Sequence, residues 1–187
     1  MPNVSVKVIR YFCFAFCAWA LGSRMWAAED SYITFRAVEN LFGGYGLVYN
    51  PGENVEVFTH PLWMAALVIL RGSGIPLHAG AVGLGLILTL TGLFFISRDE
   101  TKIPYTALIL CSISGFRDFA TAGMEFSLVF ALIALLFESL DSRRTHDNPL
   151  YHSLLAGLLY LARPELALVI VFYSAVFVFE MKDSLGK

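Results

Sequence analysis

The chain has 187 residues, 57% of them hydrophobic, and a formal charge of -2 at neutral pH, with a mean hydropathy of +0.67. So apolar a composition leaves too little polar surface for a soluble domain and places the chain in lipid, while the absence of a basic excess excludes a nucleic-acid partner. The length allows one compact bundle of about six spans at roughly 20 residues each, so residues 1–187 are read as a single all-α integral membrane domain.

In chain order, Lys7 and Arg10 introduce an apolar run from Val8 to Ala28. At about 21 residues it is long for the apolar core of a signal peptide and long enough to span, so it is read as the first membrane anchor. Residues 29–74 form the long polar-containing connection that follows. Within it, Ser31 to Leu41 places Tyr32, Phe35, Val38 and Phe42 at helical spacing and predicts a short interfacial helix. Gly43, Gly44 and Gly46 break that helix, either as a turn or as a phosphate cradle, and Asn50-Pro51-Gly52 reads as a turn. Pro61 to Leu70 is apolar but too short to span, which predicts an interfacial or re-entrant helix.

Further apolar stretches run from Ile75 to Ser97, Ile103 to Phe116, Ala122 to Leu140, Leu150 to Ala162 and Leu166 to Phe179. Several are short and span only if flanking groups such as Tyr105, Arg117, Tyr151 and Arg163 sit at the interface or face the bundle interior. The last two are either a pair of spans or one long helix kinked at Pro164. With six alternating spans and a cytoplasmic N-terminus, Lys7, Arg10, Arg98, Lys102, Arg143, Arg144, Lys182 and Lys187 all fall inside. Both termini are therefore expected to be cytoplasmic, in the plasma membrane. The outer side holds arginines alone (Arg24, Arg36, Arg71, Arg117 and Arg163), as suits bidentate pairing with phosphate or carboxylate, or plain interfacial snorkelling. Cys13, Cys17 and Cys111 match neither a redox nor a zinc spacing and read as small apolar side chains.

This topology brings acids and arginines from three junctions to one membrane face: Glu29 and Asp30, then Arg117, Asp118 and Glu125, then Arg163 and Glu165. Ionisable groups at membrane depth are costly and serve a site or pair with one another. The two readings are a structural ion-pair network and an outward polar cavity with acids as proton acceptors and arginines for an anion.

The segment Glu29-Asp30-Ser31-Tyr32-Ile33-Thr34-Phe35-Arg36 is followed by Asn40, Gly44, Gly46 to Glu53, Val55-Glu56 and Thr59-His60-Pro61-Leu62-Trp63. Over about 35 residues it resembles the first outer loop of C-type, lipid-linked-sugar glycosyltransferases, the group that includes the terminal arabinofuranosyltransferases of mycobacterial cell walls. Ala120 to Glu125 and Ala162-Arg163-Pro164-Glu165 are similar, in the same order, to two later motifs of that group.

The resemblance implies a multi-pass enzyme that passes a sugar from a polyprenyl-phosphate donor to a glycan or lipid acceptor on the non-cytoplasmic face. It implies Asp30 as general base on the acceptor hydroxyl, with Glu29 in place of the aspartate that usually precedes it. The lipid-phosphate leaving group calls for an arginine or a divalent metal; Arg36 and Arg163 lie in matched segments and Arg117 nearby, either binding phosphate or pairing with Glu39 or Glu165. Glu125 and Glu165 lie in matched segments, and His60 occupies a position compatible with related mannosyltransferases; all three join the candidate substrate-binding residues. Glu53 and Glu56 are expected to order the loop around Pro51-Gly52.

The group's members have more spans, so the chain corresponds to the N-terminal part of the expected bundle: a truncated product, a split enzyme whose partner chain supplies the missing helices, or a pseudoenzyme. A reading of another class is a lipid-carrier-binding or transport protein that uses the same acids and arginines without chemistry, although no internal repeat is visible.

Overall fold

The computed structural model describes residues 4–53, 55–99, 101–139 and 149–185, and no strand occurs among them. The connector Asp141 to Asn148, with Arg143 and Arg144, and Lys187 lie outside the described residues, as does the side chain of Lys182. The helices are α1 (Val4–Gly22), α2 (Ser31–Phe42), α3 (Pro61–Gly72), α4 (Leu77–Ile96), α5 (Tyr105–Ser112), α6 (Ser114–Ala120), α7 (Phe126–Ser139), α8 (Pro149–Ala162) and α9 (Ala167–Leu185).

Among the described residues, α1 and α4 are the two helices long and apolar enough to cross a membrane, α1 lying near the N-terminus. The remaining apolar stretches also form helices, but shorter ones. The run from Ile103 to Phe116, expected as one span, is interrupted at Ile113, whose ψ of 119° is extended. The local sequence Ser112-Ile113-Ser114-Gly115 explains the break. None of the four is a strong helix former, and the Ser112 hydroxyl donates back to the Ile109 carbonyl at 2.6 Å. The C-terminal stretches are two helices rather than one kinked helix. Arg163 is extended, Pro164–Leu166 forms a single 3-10 turn, and α9 folds back along α8. There His152 stacks on Phe177 at 4.1 Å and its Nε2 lies 3.3 Å from the Ser174 hydroxyl.

The outward surface is strongly apolar. Tyr11, Phe12 and Trp19 on α1, Ile87 on α4, Ile109 on α5 and Leu168, Val171 and Phe172 on α9 are all exposed. Between the helices, association uses both close packing and internal polar bonds. The contacts of α4 with α6 and α7 show both. A Cβ on Gly92 would lie 2.6 Å from the Phe130 ring, and one on Gly85 would lie 2.9 Å from the Ala120 carbonyl oxygen. Thr89, between these glycines, donates to that same carbonyl at 3.2 Å. Gly85 sits beside Ser127 and Gly92 beside Ala131, so the two helices run in the same direction. Cys17 and Cys111 are buried, Cys13 is half-buried, and all three thiols are free.

The two ends of this bundle differ chemically. At one, the buried Arg10 guanidinium donates to the carbonyls of Ser97, Asp99 and Lys102 at 2.9, 2.7 and 2.8 Å, satisfying the C-terminal end of α4 with a cation. Arg98 pairs with Glu138 at the same end. At the other end the chain breaks into α2, α3 and the passage between α6 and α7, and this end holds the polar cavity. Gly85 lies eight positions into α4, so at a rise of about 1.5 Å per residue the end of α6 docks roughly 12 Å along α4 from its N-terminal end.

Candidate active site

The cavity is built from four chain segments brought together by the fold. The first is the start of α2. Asp30 occupies its N-cap position, where an aspartate ordinarily accepts a backbone N–H, yet its side chain makes no such bond. Its carboxylate is exposed and lines the cavity with Ser31 and Thr34.

The second segment is the irregular strap 56–60 leading into α3. Pro61 at the first helical position starts α3 where a missing N–H costs nothing. His60, immediately before it, reaches Thr34 Oγ1 with Nε2 at 3.2 Å and Glu125 Oε2 with Nδ1 at 3.6 Å. Burial pushes the His60 imidazole below its usual range, against the opposing pull of Glu125.

The third segment is the passage 121–125 between α6 and α7, and the fourth is the break after α8, which holds Arg163. Gly123 has φ +74°, and a Cβ there would meet Ser31 Oγ at 3.3 Å and the Phe35 ring at 3.4 Å. Only a glycine lets the passage lie this close to α2 in that conformation. The buried Trp63 indole donates to the Gly123 carbonyl at 3.3 Å, and Ala28 N donates to the Ala122 carbonyl at 2.8 Å. Glu125, 1% exposed, meets Arg163 Nη2 at 2.5 Å with Oε1. Arg163 also contacts the exposed Glu165 at 3.2 Å and lies over the Phe126 ring. A hydrogen bond from its own backbone N–H, aided by Arg163, holds Glu165 below the usual carboxylate range. The volume of this open cavity is about 490 Å³, within the range of small-molecule sites.

Asp30, His60, Glu125 and Arg163 thus line one cavity, with Glu165 behind Arg163. Other expected site residues lie elsewhere. Glu29 is exposed but outside the cavity lining. Arg36 donates to the Tyr49 carbonyl at 2.8 Å and to Asn50 Oδ1 at 3.0 Å, and stacks on the Tyr49 ring. It therefore pins the loop, and Glu39, its expected partner, pairs instead with Arg71 at 2.8 Å. Arg117 is half-buried on α6, away from the cavity, while its neighbour Asp118 pairs with Arg24 at 2.6 Å. Four of the five arginines expected on the outer side, Arg24, Arg36, Arg71 and Arg163, thus have protein partners, which favours pairing over snorkelling.

The glycines act as turns. Gly44 and Gly46 have φ +84° and +85°, and the Asn50-Pro51-Gly52-Glu53 turn closes with Glu53 N donating to the Asn50 carbonyl at 3.1 Å. Glu53 orders this turn by accepting from Asn50 Nδ2 at 3.0 Å, as expected in outline, but Glu56 does not: it lines the cavity. Of the apolar positions on α2, Phe35 and Val38 are buried while Tyr32 and Phe42 are exposed, Tyr32 bonding His78 at 2.9 Å. Thr34, Glu56 and Gly123 were not singled out as site residues by spacing. Among the described residues no group of three His, Cys, Asp or Glu side chains is arranged to hold a metal ion.

The arrangement is that of a largely helical, apolar protein with a carboxylate-lined cavity beside one guanidinium. In an alignment 174 positions long that covers 81% of the chain, it is 32% identical to a Mycobacterium tuberculosis protein named terminal beta-(1->2)-arabinofuranosyltransferase. In an alignment 184 positions long that covers 82% of the chain, it is 29% identical to the Corynebacterium glutamicum protein of the same name. These matches cover 28% and 27% of the two relatives, so the chain spans little more than a quarter of their length. No family model matches the chain. No solved structure matches it.

Proposed function

We propose that the chain carries the acceptor-activating part of a membrane glycosyltransferase of the C type, transferring a sugar from a polyprenyl-phosphate donor to a cell-envelope acceptor. The observation that carries this reading is Asp30: a carboxylate at an N-cap position that leaves the helix uncapped and lines the same cavity as Arg163 and Glu125. The similarity to two named arabinofuranosyltransferases supports the sugar-transfer class.

An acceptor hydroxyl is a weak nucleophile until a carboxylate within hydrogen-bond reach takes its proton. In this reading Asp30 accepts that proton as the hydroxyl oxygen bonds to the anomeric carbon. The bond from that carbon to the phosphate oxygen breaks, and polyprenyl phosphate leaves. Arg163, the guanidinium among the cavity-lining residues, meets the departing phosphate at its own wall. Glu125 holds Arg163 there. The cavity then faces the non-cytoplasmic side and both termini the cytoplasm, a reading supported by Arg10, Arg98 and Lys102 gathering at the opposite helix ends. The strongly apolar outer surface supports a multi-pass arrangement.

The test is transfer of labelled sugar from a polyprenyl-phosphate donor in membranes carrying the chain in its native context. Asp30→Asn is expected to lower the rate at least 100-fold with donor binding retained, since general-base catalysis contributes on the order of 10²–10⁴. Unchanged transfer in Asp30→Asn would exclude this role.

A further inference from the structure

The end of the bundle opposite the cavity carries a second, smaller groove, between α1 and α4. Lys7, Arg10, Tyr11 and Phe14 follow one another at the spacing that sets residues on one stripe of a helix, and Phe94 of α4 forms the facing wall. The Phe14 and Phe94 rings lie 6.2 Å apart, and the Arg10 guanidinium is 5.7 Å from the centre of the Phe14 ring. At about 1.5 Å per residue, Phe14 stands roughly 10 Å further along α1 than Lys7. The groove is therefore graded, with cations at its polar end and aromatic carbon deeper in.

Its charge is unbalanced. Arg10 is 8% exposed, and its guanidinium donates to three carbonyls, which satisfy its hydrogens but carry no net charge. The dipole of α4 supplies about half a negative charge at that helix end, so Lys7 and Arg10 together keep more than one positive charge. Among the described residues no carboxylate pairs with either cation or lines the groove. The Asp99 carboxylate is engaged instead by Lys102 at 3.1 Å and by Thr101. A cation buried to this degree without a counter-ion is costly unless an anion comes within its field.

The anion that fits is one with a tail. The groove volume is about 180 Å³, below the range of roughly 300 Å³ and upward typical of sites that enclose a soluble ligand, so it takes a phosphate and the start of a chain. Lys7 and Tyr11 are exposed at its mouth and supply an ammonium and a hydroxyl, both donors to phosphate oxygens. Phe94 is also exposed, so a chain lying against it continues outward over apolar surface.

We infer that this groove binds an anionic glycerophospholipid, with the phosphate at Lys7 and Tyr11 in the field of Arg10 and one acyl chain along Phe14 and Phe94. The proposed orientation puts this end in the cytoplasmic leaflet, where acidic lipids attract basic groups near the surface. The site stands apart from the sugar-transfer reading. It needs only that α1 and α4 lie in lipid, and both are long and apolar enough to do so.

The experiment is native mass spectrometry of the full chain in detergent, titrated with phosphatidylglycerol or with phosphatidylcholine of the same acyl chains. The first phosphatidylglycerol is expected to bind at least tenfold more tightly than the first phosphatidylcholine. Lys7→Gln is expected to narrow that preference about fivefold, the size of one basic contact with an acidic lipid, and Lys7→Arg to keep it. Because Lys7 is exposed, the melting temperature of both variants is expected to stay unchanged. Adding Thr106→Lys to Lys7→Gln returns a positive charge to the same end of the bundle but outside the groove, and is expected not to restore the preference. Excess glycerol 3-phosphate, the same anion without chains, is expected not to displace the bound lipid. Equal binding of the two lipids, an unchanged preference in Lys7→Gln, recovery in the double variant, or displacement by glycerol 3-phosphate overturns the inference.

Discussion

Glu125 and Arg163 meet at 2.5 Å between the start of α7 and the break after α8, and this ion pair fixes two of the four walls of the cavity relative to one another. Glu125 is almost wholly buried, whereas the Arg163 side chain is 28% exposed. Removing the guanidinium leaves an uncompensated carboxylate in a dry place, which is more damaging than neutralising the acid. Arg163→Met is therefore expected to destabilise the fold by about 3 kcal/mol, and Glu125→Gln by clearly less. Thermal unfolding in a mild detergent reads the difference; equal losses would mean that the pair does not act as a buried charge contact.

The His60 imidazole carries a pH signature. Its folded pKa lies below the ordinary value of about 6.5, so at neutral pH it is uncharged in both states and contributes no pH dependence. As pH falls below about 6.5, the unfolded chain binds a proton that the folded chain resists, and stability is lost. Melting temperature is expected to fall between pH 7 and pH 5, and His60→Gln is expected to flatten part of that slope. An unaltered slope in the variant would place the titration elsewhere.

Gly123→Ala tests the seating of the 121–125 passage. The residue sits at φ +74°, and its new methyl would press on Ser31 and Phe35. Left-handed backbone costs a non-glycine residue roughly 1–2 kcal/mol, so a loss of at least that size is expected. Because Ser31 adjoins Asp30, sugar transfer should fall as well, with the donor KM less affected than kcat.

Gly85→Ala probes the α4 contact, where the obstacle is a carbonyl oxygen of the chain at 2.9 Å rather than the end of a side chain. Overpacking of this kind costs about 1–3 kcal/mol. Alanine at Gly83, which has open space around it, should be nearly neutral by comparison. Unfolding of the two variants side by side decides whether close approach of α4 and the end of α6 is required.

Orientation can be read by accessibility. In a background with Cys13, Cys17 and Cys111 replaced by alanine, single cysteines at exposed Tyr45 and Val55 should react with an impermeant thiol reagent from outside intact cells. A cysteine at exposed Lys102 should react only after permeabilisation. Labelling of all three from one side would reject the arrangement.

Much of the site was legible because three ordered motifs each carry an ionisable residue: Asp30, Glu125 and Arg163 are found on one cavity. The helices α2 and α3 were legible from spacing and from Pro61. Side-chain direction was not. Arg36 lies six positions after Asp30, and at about 3.6 residues per turn that places it on another face of the helix, where it serves the Tyr49 loop. Arg117 shares a helix end with Asp118 but not the cavity, since a junction in sequence specifies a level along the bundle and not a direction around it. Glu56 sits on a strap without periodicity, so only the fold could show where it faces. The break at Ile113 was hidden because an apolar run reads alike whether or not it is continuous.

The stretch from Arg24 to Ala28 is fastened sideways to the end of α6. Arg24 and the Trp26 indole both engage Asp118, the Thr121 hydroxyl donates to the Arg24 carbonyl, and Ala28 N donates to the Ala122 carbonyl. The segment leading to Asp30 is thus laced to α6 and to the passage after it, so any displacement of α6 would be carried to the start of α2.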